Sequence, residues 1–381
     1  KAGKGIKSSR QEDAGAMEYR FLSKKGIALF VTGLLKEFKV YGPVKLVPAG
    51  LASNVSIGGS KQGKDGFSVY GEIASPSDLN LLHTPTHLSP KQYLFPPRET
   101  LLKFRNNNSE NKTSIEPVAE AHDQVLFGIH PCDIHAIRLL DRVFAYGTPD
   151  SNYLKRRDKT LIIGIDCIPD KHCFCRSVNT MTVESGFDLF INDIGAGFVI
   201  EIGTQRGKEL LSKYSKTRKA TIREISKVAD FKKKKIESFV ASLNAEASTL
   251  PLIYSGSYNS PVWEKIGKIC YGCGSCNLVC PTCYCFDVRD DINLNTAETE
   301  RYRVWDGCLL EDFAKVAGGH NFRKTRAERL RHRFNRKFQY QVDKFGGLFC
   351  VGCGRCSRTC LVNINIAEVT NELIEESNKR P

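Results

Sequence analysis

Two cysteine runs near the C-terminal end carry the chemistry of this chain. The first holds Cys270, Cys273, Cys276 and Cys280, followed by Pro281; the second holds Cys350, Cys353, Cys356 and Cys360. Both have the spacing C-x2-C-x2-C-x3-C, with which a chain holds a pair of 4Fe-4S clusters. Three thiolates on one tight loop cap three corners of a cubane, and the fourth cysteine points away to the other cluster. Cluster one is therefore expected on Cys270, Cys273, Cys276 and Cys360. Cluster two is expected on Cys350, Cys353, Cys356 and Cys280. Gly272, Gly274, Gly352 and Gly354 let backbone amides approach the sulfurs. Structural zinc is the competing assignment, but zinc usually takes two CxxC pairs rather than three spaced cysteines and a fourth. Disulfides fit less well, since no export signal accompanies these cysteines.

A second set lies in the middle of the chain. Two short apolar runs, 125–129 and 161–165, read as buried strands, and each ends in a cysteine-bearing loop. If the strands are parallel neighbours, both loops lie at one sheet edge, where open α/β sheets bind ligands. Cys132, Cys167, Cys173 and Cys175 then form a four-thiolate set for a third cluster. Buried, unligated cysteines and a zinc site are the alternatives. His130 and His172 are substitute ligands or hydrogen-bond donors that tune potential. Of the 15 cysteines, Cys283, Cys285 and Cys308 remain. They either pack beside cluster two, or build a site with Asp306 or His320, or act as a redox thiol pair; the C-x-C spacing weakens the last.

The elements that must position these residues give an α+β chain. Residues 17–255 read as an N-terminal α/β domain with strands alternating with amphipathic helices. Further strands are expected at 44–47, 67–73, 187–191 and 198–202. Helices are expected at 26–38, at 134–144 capped by Asp133, and within 209–243. A Gly/Ser/Pro linker at 256–261 marks the boundary to a mostly helical, ferredoxin-like domain over 256–381, with helices near Trp263, Glu311, 323–343 and 366–378. Residues 1–16 are polar and read as a disordered tail or an expression remnant before Met17. Residues 58–65 nearly spell a phosphate loop, but Asp65 stands where Ser or Thr must hold magnesium. No G-x-G-x-x-G follows a strand, so no dinucleotide fingerprint is present.

Composition bounds the function. The chain has 381 residues and 41% hydrophobic content, ordinary for two globular domains, and no apolar stretch long enough to span a membrane. Many cysteines without an export signal fit a cytoplasmic, metal-ligating protein. The formal charge is +14, and each bound cubane lowers it by about two. The excess sits in two helical-looking runs, 213–235 and 323–337. These read as solvated helix faces first and a docking face for an acidic partner subunit second. Nucleic acid comes third, since no groove-reading motif accompanies the charge.

Taken together, His130-Pro-Cys-Asp-Ile-His, the segment 167–175, Cys280-Pro-Thr-Cys-Tyr-Cys and Gly318-Gly-His-Asn-Phe-Arg resemble the beta subunits of cytoplasmic sulfhydrogenases. The A subunits of anaerobic sulfite reductases are related. The resemblance runs from about Tyr41 to Ala367. It implies an iron–sulfur subunit that relays electrons between a flavin subunit oxidising NAD(P)H and a catalytic subunit, either a nickel–iron hydrogenase or a sulfite or sulfur reductase. It implies no substrate chemistry in this chain itself, as a component of an oxidoreductase complex. Leu361 departs from the pattern, where proline usually follows the fourth cysteine; that alters a turn without removing a ligand. Arg355 and Arg358 are expected either to favour reduced clusters or to serve as surface salt-bridge partners. One alternative function is reduction of a sulfur substrate or disulfide at an incompletely ligated cluster near Cys283, Cys285 and Cys308. An iron–sulfur nucleic-acid protein is the other.

Overall fold

The computed structural model describes residues 18–46, 67–82, 84–107, 112–292 and 298–379. The expected tail at 1–16 and the phosphate-loop near miss at 58–65 lie outside the described residues. Twelve strands are described: β1 Glu18–Ser23, β2 Lys39–Leu46, β3 Phe67–Glu72, β4 Arg98–Asn107, β5 Lys112–Pro117, β6 Gln124–Ile129, β7 Thr160–Ile165, β8 Leu189–Asp193, β9 Gly197–Ile202, β10 Arg218–Lys219, β11 Phe286–Ile292 and β12 Glu298–Trp305. The helices are α1 Lys24–Leu34, α2 Pro131–Ala145, α3 Ser151–Asp158, α4 Gln205–Tyr214, α5 Ile222–Glu237, α6 Leu250–Gly256, α7 Val262–Ile269, α8 Ser275–Leu278, α9 Arg326–Phe338, α10 Val342–Phe345, α11 Arg355–Arg358 and α12 Ile366–Asn378.

Eight strands form one mixed sheet in the order β10-β1-β9-β8-β7-β6-β2-β3. Four adjacent strands, β8, β7, β6 and β2, run parallel. Every residue of β6 and β7 is buried, as expected where helices cover both faces of a parallel sheet. Alternate residues serve opposite cores. Val125, Phe127, Leu161 and Ile163 pack with the apolar stripes of α1 and α4. Leu126, Ile129 and Ile162 face α2, whose Ile134, Ile137, Leu140 and Phe144 form the expected stripe. Asp133 is not the cap of that helix. His130 is the N-cap and Pro131 opens the first turn, since its fixed φ suits that position. Asp133 therefore sits inside the first turn, with its carboxylate available for another role.

The C-terminal part departs from the helical expectation in two respects. Residues 286–305 form a hairpin whose β12 pairs with β4, giving a second, antiparallel sheet in the order β11-β12-β4-β5. Charge dominates these strands, so no apolar alternation announces them; cross-strand ion pairs such as Arg301–Asp290 support them instead. At the base of the hairpin, the buried Arg303 donates to Glu99 at 2.7 Å and to Asp150, while Arg156 holds the same Glu99 at 2.6 Å. Near Glu311 only a short 3-10 turn forms, Asp312–Ala314, where a helix was expected.

Residues 256–261 make a tight turn rather than a free linker. Ser257 is fully buried, and the Trp263 indole donates to its carbonyl at 2.7 Å. Helices α6, α7, α9 and α12 share one core around Tyr254, Trp263, Phe334, Phe338 and Leu373.

Candidate iron–sulfur centres

The two cysteine runs fold into equivalent loops. Each passes two left-handed glycines and enters a one-turn helix. The glycine φ values are +70° and +73° at Gly272 and Gly274, and +61° and +70° at Gly352 and Gly354. Such angles are strained for any residue with a Cβ. The second pair is also crowded: a Cβ on Gly352 would lie 2.5 Å from the Cys175 nitrogen, and one on Gly354 2.6 Å from the His172 carbonyl oxygen. Backbone amides turn toward sulfur at both loops, Gly272 N to Cys270 Sγ at 3.3 Å and Ile364 N to Cys360 Sγ at 3.2 Å.

Thiols line three neighbouring cavities. Cys270, Cys273, Cys276 and Cys360 line the first. Cys280, Cys350, Cys353 and Cys356 line the second, and Cys356 also borders the first. The fourth cysteine of each run thus reaches across to the cavity of the other run. Cys283, Cys285 and Cys308 line the third. Of the fourth ligands considered for that trio, the His320 ring is exposed against Phe322, and the Asp306 carboxylate accepts from the Gly307 amide at 2.6 Å. Neither lines the cavity.

Burial keeps most of these thiols protonated on their own. It pushes Cys276 and Cys353 up to about 12 and Cys350 higher still. Cys273 is exposed, and the Ser275 hydroxyl pulls its thiol down. Cys280 is also lowered, by a hydrogen bond from Cys283 and by the positive Lys337 and Arg333. A metal cofactor entering such cavities must displace protons, and folding and loading are coupled.

The charge around the cavities was not legible as such. Helix α9, opened by a Thr325–Glu328 capping box, carries Arg329, Arg333 and Lys337 at four-residue spacing. All three are buried, at 5%, 3% and 5% exposure. Arg333 lines all three cavities, and Lys337 lines the second and third. Lys91, also buried, reaches in from the other side, 3.9 Å from the Trp305 ring and 3.0 Å from the Cys283 carbonyl. Among the described residues no carboxylate pairs with Arg333, Lys337 or Lys91. Buried cations without counter-ions are costly. Thiolate-bound, negatively charged cofactors supply what is missing, so the donor set fits iron–sulfur clusters. The run 323–337 is accordingly not a plain solvated face. The signal in the sequence was the interleaving of Arg329, Arg333 and Lys337 with the apolar Leu330, Phe334 and Phe338.

The middle cysteines gather beside the second cavity. Strands β6 and β7 are parallel neighbours, Phe127 opposite Ile163, so their C-terminal loops adjoin. Cys132, Cys173 and Cys175 are buried, and Cys167 is half-buried. Cys132 and Cys175 share an apolar cluster with Cys353. Cys173 Sγ lies 3.7 Å from the Cys353 carbonyl, and the Phe174 amide donates to the Gly352 carbonyl at 2.8 Å. Burial raises Cys167 to about 11 and Cys175 to about 12. Lys235, from the basic run 213–235, is fully buried in an ion pair with Asp166 beside Cys167. Arg355 and Arg358 are not surface partners: Arg355 pairs with the buried Asp133, and Arg358 with Asp170.

Comparison with known proteins agrees with this chemistry. Residues 269–364 match the family described as a 4Fe-4S dicluster domain. The chain is 36% identical over 307 residues to sulfhydrogenase 2 subunit beta of Pyrococcus furiosus, covering 80% of this chain and 89% of that protein. No solved structure matches the chain.

Proposed function

This chain belongs to the sulfhydrogenase beta-subunit family, and from that premise we propose that it relays electrons through 4Fe-4S clusters held at its thiol-lined cavities. Cluster one is assigned to Cys270, Cys273, Cys276 and Cys360, and cluster two to Cys280, Cys350, Cys353 and Cys356. The middle set, Cys132, Cys167, Cys173 and Cys175, is assigned a third. The observation that carries the reading is the crossed lining, four thiols from two distant loops around each of two adjoining cavities.

A bound cubane supplies reversible one-electron storage. The chain's own residues decide how easily it is reduced. Leu309, Leu330, Ile364 and Ile366 wall the first cavity with apolar surface, while Cys273 at its rim is exposed. Amides at Gly272 and Ile364 favour negative sulfur. Arg333, between the cavities, favours the reduced state of each neighbour. The contact between the loops at 173–175 and 352–354 gives a short route from the middle set to cluster two.

The relative's name places that protein in a sulfhydrogenase. For this chain the corresponding partners are a flavin subunit oxidising NAD(P)H and a hydrogenase or sulfur-reducing catalytic subunit, in a cytoplasmic complex. Among the described residues no helix is long and apolar enough to cross a membrane. The nucleic-acid alternative loses support, because much of the basic run at α9 faces the thiols.

Anaerobic purification with metal analysis tests the reading. Two ferredoxin-type clusters require about eight iron per chain, and the middle set raises that to about twelve. Cys132→Ala should remove about four iron and leave the other cluster signals in place. Zinc in place of iron would sink the assignment; unchanged iron in Cys132→Ala would sink the third cluster alone.

A further inference from the structure

We propose that Cys283, Cys285 and Cys308 hold a further iron–sulfur cluster, bound by three thiolates, with its fourth iron open to a small anionic ligand. The inference rests on the chain carrying cubanes and adds a site of a different kind.

The fold assembles these three thiols deliberately. Cys285 ends the segment that enters β11, and Cys308 lies three residues beyond β12. Phe286 pairs with Trp305 at the base of the hairpin, and the Asp306 amide donates to the Cys285 carbonyl at 3.1 Å. The hairpin thus returns the chain to its starting point and closes the cavity. Asn277 then serves two of the sulfurs, its amide nitrogen lying 3.4 Å from Cys308 Sγ and 3.7 Å from Cys283 Sγ. Gly307 holds Asn277 in place, since a Cβ there would come within 2.8 Å of the Asn277 side chain. N–H donors on sulfur favour the thiolate form that iron requires.

The charge argues the same way. Arg333, Arg336 and Lys337 border this cavity, and among the described residues none of them pairs with a carboxylate. Three thiolates and a cluster core meet that demand; three neutral thiols do not. The sulfurs ring a cavity, the arrangement suited to a multi-iron core.

Among the described residues lining this cavity there is no fourth thiol, imidazole or carboxylate. The lining oxygens belong to Thr282 and Tyr284. The Thr282 hydroxyl donates to the Phe349 carbonyl and accepts from Lys337 at 2.8 Å. The Tyr284 hydroxyl accepts from Arg336 and, at 3.0 Å, from Gln341. The open iron therefore lies among cations, a setting for hydroxide or hydrosulfide.

Ferricyanide oxidation of the full chain tests the proposal. Removing one electron from a cubane with an open iron releases that iron as Fe2+. It leaves a 3Fe-4S cluster with three ferric irons and a distinct paramagnetic signal. The wild-type protein should give this signal. Cys285→Ser and Cys308→Ser should each abolish it and lower iron and labile sulfide by about four, while the signals of clusters one and two persist. Cys285 is half-buried, so its variant keeps the test open if the buried Cys308→Ser fails to fold. No 3Fe-4S signal in wild type, unchanged iron in the variants, or stoichiometric zinc overturns the site. Absence of every cluster from wild type would instead overturn the electron-transfer reading beneath it.

Discussion

The Arg355 guanidinium grips the Asp133 carboxylate with two hydrogen bonds, 2.6 and 2.7 Å, and both residues are 1% exposed. The pair joins the first turn of α2, next to Cys132, to the start of α11, where Arg355 lies between Cys353 and Cys356. Arg355 also donates to the Thr86 carbonyl at 2.8 Å. Removing one partner of a buried pair strands the other charge. Arg355→Ala is expected to cost about 3–5 kcal/mol, measured by chemical unfolding. Arg355→Ala with Asp133→Asn should recover part of that loss. Equal stability of wild type and Arg355→Ala would show that the pair does not hold the two cysteine regions together.

Crossed ligation gives a spectroscopic prediction. Cys280 lies in the first run but lines the cavity of the second. Cys280→Ser should disturb the paramagnetic signal of the cluster assigned to Cys350, Cys353 and Cys356. A change confined to the cluster of Cys270, Cys273 and Cys276 would reverse the assignment.

Lys337 sets a potential. Its ammonium lines the second and third cavities and favours added negative charge there. Lys337→Gln should make cluster two harder to reduce, lowering its midpoint by roughly 60 mV, a tenfold change for one electron. Potentiometric titration followed by paramagnetic resonance reads this directly. A midpoint that stays or rises would mean that Lys337 is neutralised by another group.

Stability should fall in mild acid through His332. Burial, with Arg323 and Arg336 nearby, holds its imidazole down to about 4, below the ordinary 6.5. The folded state keeps this ring neutral while the unfolded chain takes up a proton. Its contribution is therefore full above about pH 6.5 and is lost as pH falls toward 4. The ring is only partly buried, so the loss is about 1 kcal/mol. Denaturant midpoints across that window should slope less in His332→Gln than in wild type. Parallel slopes would remove His332 as the cause.

What could be read from the sequence follows the range of the physics involved. Continuous apolar runs at β6 and β7, the stripe of α2 and the dicluster spacing at 270–280 and 350–360 are local patterns, and each points to one structure. The hairpin β11–β12 escaped because its strands are held by charge pairs and by β4, almost 200 residues earlier. Arg355 and Asp133 are separated by 222 residues, so neither could be recognised as the other's partner. The α9 cations looked solvated because their interleaving with Leu330, Phe334 and Phe338 signals burial but not that Arg333 and Lys337 meet thiols there.

The pairing of β12 with β4 also orders events in time. The cavity of Cys283, Cys285 and Cys308 closes only when the hairpin is formed, and the hairpin docks on a strand made long before it. Long-range pairings of this kind form slowly. Closure of this one cavity therefore draws on the N-terminal half, which supplies β4. A truncated chain carrying 256–381 alone has its cysteine spacing intact but lacks β4, the strand against which the cavity-closing hairpin packs.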